Sequence, residues 1–241
     1  MMQTDSTQSL EYQRYHTELP DGGPFYMETD LTRDLIIEPW NAASSLLFLI
    51  PAFYWMWKIR KQRKQYRVLL WATIFLVIGG LGSTLFHGLR ISPYLLLMDW
   101  VPMQILMLLI LFLCWTKVTP KAWHGVVIVT GGLVLQGLFY GFANGVAEHT
   151  RINVGYAFTG LMLFIPLFYI LYKTRWIRGR DLLLGGVLLG LALFFREVDA
   201  RENFTPLPMG THFLWHVSSA VAAHFIANYL YWLIPVDLRN R

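Results

Sequence analysis

Residues 68–88 read VLLWATIFLVIGGLGSTLFHG, a run without lysine, arginine, aspartate or glutamate. Roughly 20 mostly apolar residues in helical form cross the hydrocarbon core of a bilayer. The run therefore reads as a transmembrane helix. It ends with Ser83 and His87, four residues apart. Polar and ionisable groups are expensive at membrane depth, so their presence there invites a functional reading.

Six further segments read in the same way, over about 37–57, 93–115, 122–142, 152–172, 181–197 and 210–234. Together they predict an all-α, polytopic membrane protein, a bundle of seven transmembrane helices. The connections are brief, so neighbouring helices are expected to run antiparallel. The expected division is an N-terminal segment 1–36, a helical domain 37–234 and a tail 235–241. Composition agrees: 55% of the 241 residues are hydrophobic and 15% are charged, where a soluble domain carries about 25% charge. The first two dozen residues lack the apolar core of a cleavable signal peptide, so the first span is expected to direct the chain to the membrane. Cys114 is the single cysteine and can form no internal disulfide; within its apolar run it reads as a small buried hydrophobe.

The net charge of +5 is concentrated in short loops. The stretch KIRKQRKQYR (58–67) carries six basic residues, a later loop has Lys117 and Lys121, and another has Lys173, Arg175, Arg178 and Arg180. Such loops mark the cytoplasmic side, which predicts an extracytoplasmic N-terminus and a cytoplasmic C-terminus. Asp21, Glu28 and Asp30 fit an N-terminal segment outside. The expected partner of this charge pattern is the lipid bilayer, with no nucleic acid.

Under that topology five polar residues reach a similar depth near the extracytoplasmic face. Ser83 and His87 end the second span, and Asp99 lies about two turns into the third. His212 and His216, in THFLWHVSS (211–219), open the seventh and share one helical face. Three imidazoles with an open coordination position form a catalytic zinc set. Zinc with three neutral ligands lowers the pKa of water to about 7 and polarises a carbonyl. Asp99 is then a candidate general base and acid; the alternative is a structural carboxylate paired with a cation or with a ligand histidine. Ser83 is a candidate donor to a developing oxyanion, or a serine that bonds its own backbone or packs small. His224 lies two turns deeper and is expected to pack, while His16, His124 and His149 are assigned no role. Pro51, Pro102 and Pro166 are expected to kink their helices. GGLGS (79–83) is expected to admit a close neighbour, and Gly186 with Gly190 to form a packing face.

Four blocks in order, EPWNAASS (38–45), GSTLFHG (82–88), MDWVPM (98–103) and THFLWHVSS (211–219), resemble those of the alkaline ceramidases. That family belongs to a superfamily of seven-helix metal hydrolases that also includes the progestin and adipoQ receptors. The resemblance implies hydrolysis of the N-acyl amide of a ceramide-like lipid to a fatty acid and a sphingoid base. It implies His87, His212 and His216 as zinc ligands, with Ser83 and Asp99 beside them. It also implies a calcium ion (Ca2+) held by Glu28, Asp30, Glu38 and the Tyr26 carbonyl, the alternative being that Glu28 and Asp30 solvate an outside tail. Met27 stands where the family usually carries a cysteine.

The leading expectation is thus a zinc (Zn2+) dependent amidohydrolase of lipid amides, integral to a bacterial inner membrane or a eukaryotic internal one. Alternatives are a receptor or sensor with structural zinc, and a zinc hydrolase of another lipid amide or ester. A transporter ranks below them, because no inverted repeat or charged path across the membrane is visible. Oligomeric state has no sequence signal.

Overall fold

The computed structural model describes residues 19–33, 35–146, 148–199 and 207–238. Residues 1–18, including His16, and the end of the expected tail lie outside the described residues. Among the described residues the regular structure is helical and contains no strand. In chain order the helices are α1 (Pro39–Ser45), a 3-10 turn (Leu46–Phe48), α2 (Leu49–Lys58), α3 (Arg67–Leu89), α4 (Pro93–Val118), α5 (Ala122–Phe142), α6 (Glu148–Lys173), α7 (Gly179–Asp199) and α8 (His212–Leu233). Each expected segment is helical, with ends displaced by about one turn at most.

Among the described residues, four stretches are long and apolar enough to cross a membrane: α3, α4, α5 and Asn153–Lys173 of α6. They mark a membrane protein. Their outward surfaces agree, since Val134, Leu135, Leu138, Leu161, Phe164 and Phe168 are all exposed, a distribution that water would penalise.

The first expected span is interrupted by a tighter turn. Pro51 has no N–H for the Leu47 carbonyl, and its ring crowds that position. The chain tightens into the 3-10 turn just upstream, between α1 and α2. The short helix α1 is thereby free to pack against both α3 and α8.

Helix α3 is the axis of the arrangement. Of its apolar window 44% is buried inside the protein, against 17% for α4 and for α5. Gly82 explains how α4 comes so close: a Cβ at Gly82 would lie 2.2 Å from the Met98 carbonyl oxygen. That carbonyl is the one Pro102 leaves without its helical N–H partner. A glycine and a proline on facing helices therefore bring Asp99 alongside Ser83.

The other end of the bundle is sealed by an apolar cluster that includes Ile110, Cys114, Ile170, Tyr229 and Leu233. Cys114 is fully buried there, as expected of a small hydrophobe. Lys117 Nζ donates to the carbonyls of Ile234 (2.7 Å) and Val236 (2.6 Å) just past α8, where helical carbonyls lack internal partners. The basic loops lie at this end. One expectation needs correcting: Gly186 and Gly190 face open space, and the glycine of α7 that meets α8 is Gly185, against Ile226. His224 packs as expected, its ring 5.2 Å from that of Tyr54 and 5.8 Å from that of Trp55.

Gly82→Ala should force α3 and α4 apart and lower stability by about 1–3 kcal/mol, the usual range for overpacking. Thermal unfolding in detergent reads this directly. A transition unchanged from that of the parent protein would mean that the close approach is not needed.

Candidate metal centre

Helix α3 brings His87 in at its last turn, and α8 brings His212 and His216 in at its first two. The three side chains are buried, and one ligand atom from each lies within 4.8 Å of the others. The ring centroids form a nearly regular triangle, with His87 5.1 Å from His212 and 5.0 Å from His216, and the last two 4.7 Å apart. Among the described residues this is the one group of three or more potential metal-ligating side chains that converges.

Each ligand-bearing helix end is held in place from outside its own helix. Asp199, at the end of α7, accepts from the backbone N–H groups of Thr211 (2.6 Å) and His212 (3.1 Å). It therefore caps α8 from a neighbouring helix and favours the positive end of the helix dipole. Gly210 makes room for it: its φ is 74°, and a Cβ there would lie 2.2 Å from Asp199 Oδ1. The second oxygen of Asp199 accepts from Met27 N at 3.3 Å, which ties the N-terminal segment to the same point.

The ring nitrogens show what the cluster is arranged to do. His87 Nδ1 meets Glu38 Oε2 at 2.5 Å, and His216 Nδ1 meets Ser44 Oγ at 2.9 Å and Ser45 Oγ at 3.2 Å. His87 Nε2 and His212 Nδ1 are buried and have no hydrogen-bond partner. A buried polar atom without a partner is costly, and aromatic walls from Tyr26 and Phe86 offer these nitrogens none. In His87 one nitrogen is engaged and the other free, the arrangement that outer hydrogen-bond partners impose on metal-binding histidines. The donor set therefore fits a divalent ion such as zinc.

The two other expected residues are here as well. Ser83 is buried and accepts from Ser45 Oγ at 2.9 Å. The half-buried Asp99 is close enough to Ser83 and His87 to act on both. Tyr26 roofs the cluster, its ring 4.1 Å from that of His212 and 5.1 Å from that of His87.

The three carboxylates expected at a calcium ion do not converge on one. Glu28 accepts from the backbone N–H groups of Trp40 (2.7 Å) and Asn41 (2.9 Å), so it caps the start of α1. Burial raises its pKa, against the pull of those two amides. Asp30 accepts from the Thr32 hydroxyl (2.6 Å) and amide (3.1 Å) and pairs with Arg33 at 3.4 Å. The Thr32 hydroxyl and then its amide hold the Asp30 carboxyl below its usual range. Glu38 is committed to His87, to Thr29 Oγ1 at 2.5 Å and to Arg90. Calcium asks for six to eight oxygens, and these are taken by hydrogen-bond donors. The residues present do not fit the calcium implied by the resemblance.

Sequence reasoning missed the parts played by Glu38, Ser44, Asp199 and Arg90. Glu38 and Ser44 lie in the EPWNAASS block, whose role shows only in its contacts with the histidines. No protein-family model matches the chain, and a search of curated proteins finds none similar enough to count as a relative.

Glu38→Gln should weaken zinc binding by roughly 10–100-fold, the usual effect of removing a ligand's outer partner. His216→Ala should weaken it further. Competition against a chelator of known affinity measures both, and an unaltered affinity in Glu38→Gln would show that the short contact to His87 does not support metal binding.

Proposed function

We propose that this protein is a seven-span, intramembrane zinc hydrolase that cleaves the N-acyl amide of a ceramide-like lipid. One observation carries the reading: three buried imidazoles bring ligand atoms within 4.8 Å of one another, His87 Nε2 and His212 Nδ1 lack a partner, and the Asp99 carboxylate and Ser83 hydroxyl lie alongside. A structural site would need only the histidines. An acid–base group and a hydroxyl alongside them suit hydrolysis. The four sequence blocks supply the substrate class, because they follow the order of the alkaline ceramidases.

In this proposal His87, His212 and His216 hold the zinc ion. That ion would supply Lewis acidity toward water and toward the substrate carbonyl. Glu38 and Ser44 orient His87 and His216. Asp99 accepts a proton from the attacking water on a carboxylate oxygen. It returns that proton to the amide nitrogen as the C–N bond breaks, leaving a fatty acid and an amine. Ser83 donates to the carbonyl oxygen as negative charge develops there. The seven spans would be α1 with α2, then α3 to α8, with the basic loops in the cytoplasm and the histidines near the extracytoplasmic face.

A receptor or sensor with a structural zinc is the second reading. The Tyr26 ring over His212 and His87 favours it, since a covered metal suits a structural role better than an open one.

Turnover decides between them. Purified protein offered a panel of lipid amides and esters should release fatty acid, lose activity to a zinc chelator and regain it with zinc. Asp99→Asn should keep the bound zinc and lose roughly 10²–10⁴-fold in rate. Full turnover in that variant would remove Asp99 from the chemistry, and zinc binding with no hydrolysis of any panel member would favour the receptor.

A further inference from the structure

We propose that the Arg90 guanidinium is the built-in cation of this site, a positioning residue that holds Glu38 against His87 where the family resemblance implies calcium. The inference rests on the reading of His87, His212 and His216 as a zinc set.

Arg90 is only 2% exposed and ranks among the largest fully buried side chains. It follows directly on α3, three residues past His87, with a φ of 52°. A left-handed conformation is unfavourable for a residue with a Cβ, so the side chain's contacts must repay it. They do. Nε donates to Asp21 Oδ2 at 2.5 Å, and Nη2 donates to Asp21 Oδ1 at 3.2 Å and to the Pro24 carbonyl at 2.9 Å. Nη1 donates to Glu38 Oε1, the oxygen not used by His87. The Phe86 ring stacks 4.6 Å from the guanidinium carbon, and the Tyr26 ring lies 5.5 Å from it.

Two carboxylates and a carbonyl thus surround a cation, as they would surround a metal ion, and the cation belongs to the chain itself. Arginine suits this position because its planar fork reaches several oxygens at once. Through Glu38 the charge is relayed to the orientation of His87. Removing one partner of a buried ion pair leaves the other charge uncompensated, so loss of the guanidinium should disturb Glu38 and, through it, the metal ligand. Of the oxygens the resemblance implies for calcium, Glu38 Oε1 accepts from Arg90, while those of Glu28 and Asp30 accept from other donors.

The test uses the purified full chain in detergent, with zinc affinity measured by chelator competition and Tm by thermal unfolding, each with and without millimolar calcium. In the parent protein, calcium should move neither quantity. Arg90→Gln should lose roughly tenfold or more in zinc affinity, and Arg90→Lys, which keeps a charge but not the fork, should fall between. Calcium raising the zinc affinity or Tm of the parent protein would overturn the proposal, as would parental zinc affinity in Arg90→Gln. If Arg90→Gln does not fold, the calcium comparison on the parent protein still decides. A parent protein that binds no zinc would remove the hydrolase reading instead, and its Tm response to calcium would still test Arg90.

Discussion

A buried imidazole has two nitrogens, and an apolar interior satisfies neither. That constraint organises the extracytoplasmic half proposed for this protein. Glu38 and Ser44 each take one nitrogen of a histidine, His87 Nε2 and His212 Nδ1 are left without a partner, and the three rings bring ligand atoms within 4.8 Å of one another. To deliver those two partners, the chain must bring Glu38 and Ser44 to the ends of α3 and α8. The cap on α8 from Asp199, the clamp of Arg90 on Asp21 and Glu38, and the break between α1 and α2 all serve that placement.

The lower half obeys different physics. It carries apolar clusters, a lysine over the carbonyls that follow α8, and loops rich in positive charge. Between the two halves, Gly82 and the Met98–Pro102 turn fix how closely α3 and α4 approach. That approach sets where Asp99 stands relative to Ser83. A backbone contact thus controls a side-chain constellation, and neither member of the contact is itself polar in its side chain.

The helices were legible in the sequence because membrane-length apolar runs leave little choice of conformation. The histidines and Asp99 were legible because charge at that depth stands out. Their partners were not. Glu38 reads from sequence, through the resemblance, as a calcium ligand, and its commitment to His87 and Arg90 appears only when residues far apart in the chain meet. Pro51 is expected to kink the first span, but that its effect takes the form of a tighter turn at Leu46–Phe48 could not be read from spacing. Gly186 and Gly190 matched a packing pattern, yet the rotation of α7 against α8 put Gly185 at the contact. Spacing gives periodicity along a helix and leaves open which face its neighbour takes.

Cys114 has a practical consequence. It is the only thiol in the chain, and it is sealed between α4, α6 and α8. Alkylating reagents react with accessible thiolates, so the natural protein offers them almost no target. Single cysteines introduced at one loop after another can then be labelled without first engineering away a background. Which side of a vesicle each label is found on would map the threading of the chain directly.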